Sequence, residues 1–294
     1  MGMSYAYGAA ERDDEQSRAV LHRALDLGVT LIDTADVYGP FTNEELVGSA
    51  LAGRRDEAFL ATKCGLLLGP EGIRPDGRPE HVRAAIDASL QRLGTDRVDL
   101  WQLHRVDPSV PVEETWGAMA EQVAAGKARA LGMSEVGVEQ LERAHAIHPV
   151  STVQSELSLW TRDPLPKVLP WCTANGVGFL PYSPLGRGFL TGTLAPGSFD
   201  SNDFRSRNPR FTAEAMAANS ALVEQVRAVA DRVGATPGQV ALAWVLAQGE
   251  HVVPIPGTKK LRYLEENAAS ATVVLTPEDL AELDALPAPV GARY

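Results

Sequence analysis

Cysteine is nearly missing from this 294-residue chain: only Cys64 and Cys172 occur, too few and too far apart for a disulfide framework or a thiolate metal site. That scarcity fits a reducing compartment, and a cytoplasmic location is the expectation. Basic charge is also short, with 27 Lys and Arg against 38 Asp and Glu and a formal net charge of −11. No clustered basic stretch offsets it, so the surface should repel phosphate backbones and anionic lipid, and neither nucleic acid nor a membrane is expected as a partner. No uninterrupted apolar run approaches the ~20 residues of a membrane span. The opening MGMSYAYGAAERDDE lacks a basic stretch followed by an apolar one, so no secretory leader is read there. No Ser- or Gly-rich linker and no low-complexity tract divides the chain, which is read as one domain over residues 1–294.

What is present is alternation. Seven short β-rich runs, at 29–33, 58–63, 98–104, 128–134, 151–154, 178–182 and 252–256, each end in polar or turn-forming residues. Between them the period changes to that of helices, near 15–27, 43–52, 79–93, 111–125, 138–145, 165–174, 239–247 and 261–269. Pro79 and Pro111 suit a first helical turn, and Thr236 before Pro237 offers a cap. This is the α/β pattern of helices covering a parallel sheet. Two segments break the rhythm. Residues 186–211, with Gly186, Gly188, Gly192, Pro196, Gly197 and Pro209, are too long for an ordinary connection and read as a mobile functional loop. Residues 276–286 read as a capped extra helix. Seven strands are one short of a closed eight-stranded barrel; the missing one should precede the first helix, where the sequence has only residues 1–6.

Asp33, Lys63 and His104 fall at or just after the C-terminal ends of three consecutive expected strands, the catalytic face of a β/α barrel. Neighbouring strands lie ~4.8 Å apart, so three strand ends can converge on one atom. Tyr38 follows Asp33 by a short loop, in DTADVYG. A phenol is a poor acid at neutral pH, but a nearby ammonium, Lys63, favours its ionised form and eases loss of its proton. Asp33 would hold Lys63 charged, and His104 would bond a carbonyl oxygen. Taken singly, each residue reads equally well as an ion-pair plug, a core histidine or a loop anchor; joint placement on one face favours a site. Glu44 and Glu45 are read as first-turn carboxylates favoured by the helix dipole rather than as catalytic groups.

These residues lie in motifs that resemble the aldo-keto reductases, near the aryl-alcohol reductases and the potassium-channel β-subunits. The motifs are GVTLIDTADVYGPFTNEELVG from Gly28, ATKCG from Ala61, DLWQLHRVDP from Asp99, GKARALGMSE from Gly126, LPYSPLGRGFLTG from Leu180 and IPGTKKLRYLEEN from Ile255. The resemblance implies a (β/α)8 TIM barrel, with the family's N-terminal hairpin and most of its first barrel strand absent here, so a gapped barrel is expected, residues 1–7 supplying at most a stub of strand. It implies Tyr38 as general acid, Lys63 and Asp33 as its tuning pair and His104 as the orienting group. It also implies NADPH bound without a GxGxxG fingerprint, and none is found.

By the same resemblance Tyr182 would stack on the nicotinamide, with Ser134, Glu135 and Gln154 near its carboxamide, although many members carry asparagine at the position of Glu135. Ser183, Leu185, Gly186 and Arg187 would begin a loop over the pyrophosphate. Gly257, Thr258 and Lys259 would receive the 2′-phosphate at a helix start, and Glu266 and Asn267 the adenine. The expected function is NADPH-dependent reduction of an aldehyde or ketone, a small-molecule carbonyl substrate; the alternative is a cofactor-binding regulatory subunit with vestigial activity. Trp160, Phe189, Phe204 and Phe211 are open between an aromatic pocket and loop packing.

Overall fold

The computed structural model describes every residue except 9–11, 70, 71, 196, 198, 202 and 294, so Pro196 of the expected mobile loop lies outside the described residues. Parallel strands alternate with helices: α1 Asp14–Asp26, β1 Leu31–Asp33, α2 Thr42–Leu51, β2 Phe59–Cys64, α3 Pro79–Leu93, β5 Val98–Leu103, α4 Val112–Ala124, β6 Ala128–Ser134, α5 Val138–His145, β7 Thr152–Glu156, α6 Val168–Asn175 and β8 Gly178–Tyr182. A hairpin, β3 Leu66–Gly69 and β4 Gly72–Pro75, is inserted after β2. Helices α7 Ala213–Ala218, α8 Ser220–Val233, α9 Pro237–Leu246, α10 Leu261–Ala269 and α11 Pro277–Asp284 complete the described chain. The six parallel strands hydrogen-bond in the order β1-β2-β5-β6-β7-β8. Among the described residues no helix is long and apolar enough to cross a membrane.

The expected seventh strand at 252–256 is present as a single parallel bridge, Phe179 to Val252, with Val253 and Ile255 N–H bonding the carbonyls of Phe179 and Pro181 at 2.9 and 3.0 Å. Val253 and Ile255 supply the donors toward β8, whereas Pro254 and Pro256, which alternate with them, leave the opposite edge of the segment without N–H groups. Residues 1–7 form turns rather than a strand stub. The N–H groups of Ser4 and Tyr5 close back on Met1 O at 3.0 and 2.9 Å, which leaves no extended edge to pair with β1.

The strand pleat sorts residues by parity. Leu31, Ala61, Leu100, Ala130 and Leu180 point to the barrel axis and pack together as a small inner cluster. Their neighbours Ile32, Leu60, Trp101, Leu131 and Phe179 point outward into the main core beneath the helices, where Trp116 and Trp244 are also fully buried. Two residues further along four of these strands the inner face turns polar, with Asp33, Lys63, Gln102 and Tyr182 following the apolar layer, while β6 has Gly132 there and turns polar at Ser134.

Helices begin where caps require: Pro79 opens α3, and Thr236 and Gln239 form a capping box at α9. Among the described residues the hairpin and helices α7 and α8 were not foreseen. Helix α8 is nonetheless amphipathic, burying Leu222, Val223, Val226, Val229 and Ala230 at helical spacing. Helices α2 and α3 cross where Gly48 meets the Leu93 carbonyl; an added Cβ would sit 2.6 Å from that oxygen. Gly48→Ala should therefore destabilise the protein by on the order of 1–3 kcal/mol. An unchanged urea midpoint would show that this crossing is loose.

Candidate active site

Asp33, Lys63 and His104 meet as the strand ends dictate. Asp33 closes β1, Lys63 is the last inward residue of β2, and His104 follows β5, with its N–H on Cys64 O at 2.8 Å. Lys63 is fully buried. Its Nζ donates to Asp33 Oδ2 at 2.5 Å and to Thr34 O at 2.8 Å, and it lies 5.1 Å from the centre of the Tyr38 ring. The Tyr38 ring in turn meets the His104 ring edge-on, centroids 5.7 Å apart. Tyr38 is carried by the loop between β1 and α2, anchored by Asp36 N–H on Lys63 O at 3.2 Å and Asn43 N–H on Tyr38 O at 3.2 Å.

The other Asp33 oxygen accepts from Gln154 Nε2 at 3.0 Å and Gln102 Nε2 at 3.2 Å, so β1, β2, β5 and β7 all contribute to one network. Gln102 was not anticipated from sequence. Its signal was parity: it sits two residues before His104 and pairs in register with Lys63.

The electrostatics follow from burial and charge. For Lys63, burial opposes the charged form, but the Asp33 carboxylate and Tyr38 outweigh it and hold the amine above its ordinary value. For Tyr38, burial dominates and raises the phenol, while Lys63 pulls the other way; the phenol is protonated at neutral pH. Lysine thus moderates the acid without making it a phenolate. For His104, burial and then the charges of Lys63 and Arg105 push the imidazole well below its usual value, so the ring is neutral. Its Nδ1 is buried without a hydrogen-bond partner among the described residues. A neutral imidazole with a spare ring atom suits orientation of a polar substrate atom better than proton delivery.

The residues expected around a dinucleotide run along the same mouth. Ser134 ends β6 and its Oγ accepts from Arg105 Nη1 at 3.1 Å; Tyr182 ends β8. Gln154 turns its amide to Asp33. Ser183, Gly186, Arg187 and Gly188 are left-handed, with φ of 50, 56, 58 and 95°, and Leu185 O accepts from Gly188 N–H. Such a backbone runs tightly around the strand end. Gly257, Thr258 and Lys259 precede α10, which has no acidic residue in its first turn. Lys259 Nζ donates to Gly8 O at 2.9 Å and Tyr7 O at 3.4 Å. Glu266 Oε1 accepts from Thr236 Oγ1 at 2.7 Å, and Asn267 lies one residue on in α10. Trp160, Phe189 and Phe211 are buried against one another, Trp160 stacked on Phe189 at 4.5 Å, which is packing rather than an open pocket; Phe204 is exposed.

A contribution from the tail was not foreseen. Arg293 donates to Glu156 Oε2 at 2.9 Å and Tyr182 Oη at 2.7 Å, and lies 2.7 Å from Glu135 Oε2. Burial weighs against the Arg293 charge, but the Glu135 carboxylate more than offsets it and the guanidinium is held above its usual value.

The sequence profile described as the Aldo/keto reductase family matches residues 2–288. The chain belongs to the aldo/keto reductase family. It is 42% identical to a probable aldo-keto reductase 1 of Glycine max over 299 residues, covering 100% of this chain and 86% of that protein. The solved structure of a glycerol dehydrogenase from Gluconobacter oxydans superposes with a TM-score of 0.87 at 31% identity, covering 97% of this chain and 88% of the other. An aldo/keto reductase from Klebsiella pneumoniae, solved in complex with NADP and acetate, gives 0.74 at 29% identity, with 98% and 90% covered. The family is one of oxidoreductases built on the (β/α)8 barrel, and the described residues of this member form six hydrogen-bonded barrel strands plus the bridge at Val252.

Asp33→Asn keeps the shape but leaves the Lys63 ammonium buried without its counter-charge. A stability loss of about 3–5 kcal/mol at neutral pH is expected, read from denaturant unfolding. A loss indistinguishable from zero would mean that the lysine is not held as a charged pair.

Proposed function

We propose that this aldo/keto reductase reduces aldehydes or ketones to alcohols with NADPH, Tyr38 supplying the proton. The observation that carries the reading is the fully buried Lys63 ammonium, fixed by Asp33 and set against the ring of a protonated phenol. NADPH, when bound, supplies the hydride that the carbonyl carbon receives. The chain's own groups do the rest. His104, neutral, bonds the carbonyl oxygen and aims it at Tyr38. As negative charge builds on that oxygen, Tyr38 Oη gives up its proton, and Lys63 stabilises the phenolate left behind. Asp33, itself held by Gln102 and Gln154, keeps the ammonium in place through the cycle.

The residues present fit the dinucleotide. Ser183, Gly186 and Arg187 present a tightly curved backbone for a pyrophosphate, and Tyr182 offers a half-buried ring for the nicotinamide. The start of α10 with Lys259 offers positive charge for a 2′-phosphate. A bound NADP in the Klebsiella pneumoniae relative supports the same cofactor here.

Tyr38→Phe should lower aldehyde-dependent NADPH oxidation by about 10²–10⁴-fold. NADPH affinity, measured by tyrosine and tryptophan quenching, should stay within about threefold of wild type, because only the proton donor is lost. Full turnover by the variant would remove Tyr38 as the acid. Tight NADPH binding by the wild type without turnover across an aldehyde panel would favour the regulatory-subunit reading instead. Lys259→Glu should weaken NADPH binding by about 10- to 100-fold and leave NADH nearly unaffected, the scale of a lost charge-assisted hydrogen bond. Equal weakening of both would place the 2′-phosphate elsewhere.

A further inference from the structure

The reaction outlined above makes no use of Glu44, yet this carboxylate is fully buried in α2. It does more than complement a helix start. Its two oxygens reach two different elements: Oε1 accepts from Thr62 Oγ1 at 2.6 Å, and Oε2 from Arg92 Nε at 2.7 Å. Thr62 is the outward neighbour of Lys63 on β2. Arg92, in the last turn of α3, also lies over the Phe41 ring, 4.8 Å from its centre. Phe41 ends the Tyr38 loop, and its N–H bonds Asp36 O at 2.9 Å. Its φ of 72° is a left-handed conformation that a phenylalanine keeps only when its surroundings hold it. The loop is thus tied at Asp36 to the strand that carries Lys63, and at Phe41 to a guanidinium that Glu44 fixes.

Asp36 brings a second carboxyl to the same place. It is 4% exposed, and its Oδ1 accepts from Val37 N–H at 2.6 Å. Burial first, and then the Glu44 charge, push its carboxyl up to about 7, against the pull of Arg92 and Lys63. The Cys64 thiol, raised by burial, also feels both Asp36 and Glu44, which puts the two carboxyls beside the outer face of β2. The groups facing Asp36 are therefore Glu44 from α2, Arg92 from α3, and Lys63 and Cys64 from β2.

We propose that Glu44 and Arg92 are positioning residues for Tyr38, a clamp behind the barrel wall that fixes the phenol over Lys63, and that a proton on Asp36 keeps the clamp closed. With Asp36 neutral, one guanidinium balances one carboxylate. With Asp36 ionised, two carboxylates compete for Arg92 and the loop loosens. The kinetic consequence rests on the reductase reading; the structural one does not.

The test measures amide hydrogen exchange of residues 36–43, together with kcat and KM, between about pH 6 and 8 in wild type, Glu44→Gln and Asp36→Asn. Glu44→Gln should speed exchange in that segment by about tenfold or more, and lower kcat about tenfold with KM and NADPH affinity within about twofold. Once the intrinsic base-catalysed rate is divided out, wild-type exchange in the segment should rise across this range, and Asp36→Asn should flatten the rise. The sign follows from linkage. A carboxyl raised in the folded state contributes stability that is complete below its unfolded value near 4 and is lost as pH rises through about 7. The Tm of Asp36→Asn should accordingly draw ahead of wild type as pH increases. Wild-type exchange independent of pH, or a Glu44→Gln protein with wild-type exchange and kcat, overturns the clamp. If Glu44→Gln does not fold, the Asp36→Asn profile decides alone. A wild type that reduces no carbonyl sinks the reductase reading, while the exchange measurements still decide the clamp.

Discussion

A buried ammonium sets the terms for the barrel mouth. Lys63 has no solvent of its own, and an isolated charge in that position costs more than the fold can supply unless the charge is paired and its donors satisfied. Asp33 and the Thr34 carbonyl meet that requirement. Asp33 is in turn completed by two glutamine amides from strands that are far apart in sequence. Because every member is satisfied by another, the network is fixed as a unit, and its geometry passes to the Tyr38 ring that rests against it.

The same charge sorts the two neighbouring groups into different roles. Burial raises Tyr38 and lowers His104, and the lysine adds to the second effect while opposing the first. The outcome is a phenol that carries a proton and an imidazole that carries no charge. Opposite displacements of two adjacent titrating groups fit the proposed division between a proton donor and an orienting partner. In the proposed reaction an imidazolium in the same place would compete with the phenol for the substrate oxygen; burial beside Lys63 keeps the ring neutral.

Much of this was legible because strands write their chemistry with a period of two. Leu31 to Asp33 and Ala61 to Lys63 each step from the apolar inner layer to the polar one, and the sequence carries that step openly. The segment at 252–256 pairs with β8 through Val252, Val253 and Ile255 but reduces to a bridge, and its alternating prolines leave the apolar pattern intact while stripping donors from the opposite edge. Helix α8 went unmarked although its apolar stripe is regular; it lies beyond residue 211, where the expected irregular segment ends, in a stretch to which no element was assigned. Glu44 was read from its place in the first turn, which is correct locally; Thr62 and Arg92, 18 and 48 residues away, are what bury it. Local pattern fixes where a residue sits in its element and says little about partners that only the closed fold brings near.

Glu135 and Arg293 show the cost and the remedy of such a long-range partnership. Glu135 holds φ at 56°, a conformation in which asparagine is at ease and a glutamate is strained by about 1–3 kcal/mol. Its Oε1 accepts from Glu156 N–H at 2.9 Å, and its Oε2 meets Arg293 at 2.7 Å, two charge-assisted contacts that together offset a strain of that size. Arg293 reaches them because Asn219 holds Val290 by both backbone groups, at 2.8 and 3.0 Å, while Asn208 Nδ2 donates to Arg293 O at 2.8 Å. A glutamate in a left-handed position just after β6 is therefore best understood together with the tail: the acid makes sense only where an arginine is delivered to meet it. That pairing carries a positive charge to Tyr182, so the wall of the mouth opposite Lys63 is shaped by residues that are remote in sequence and adjacent only in the folded barrel.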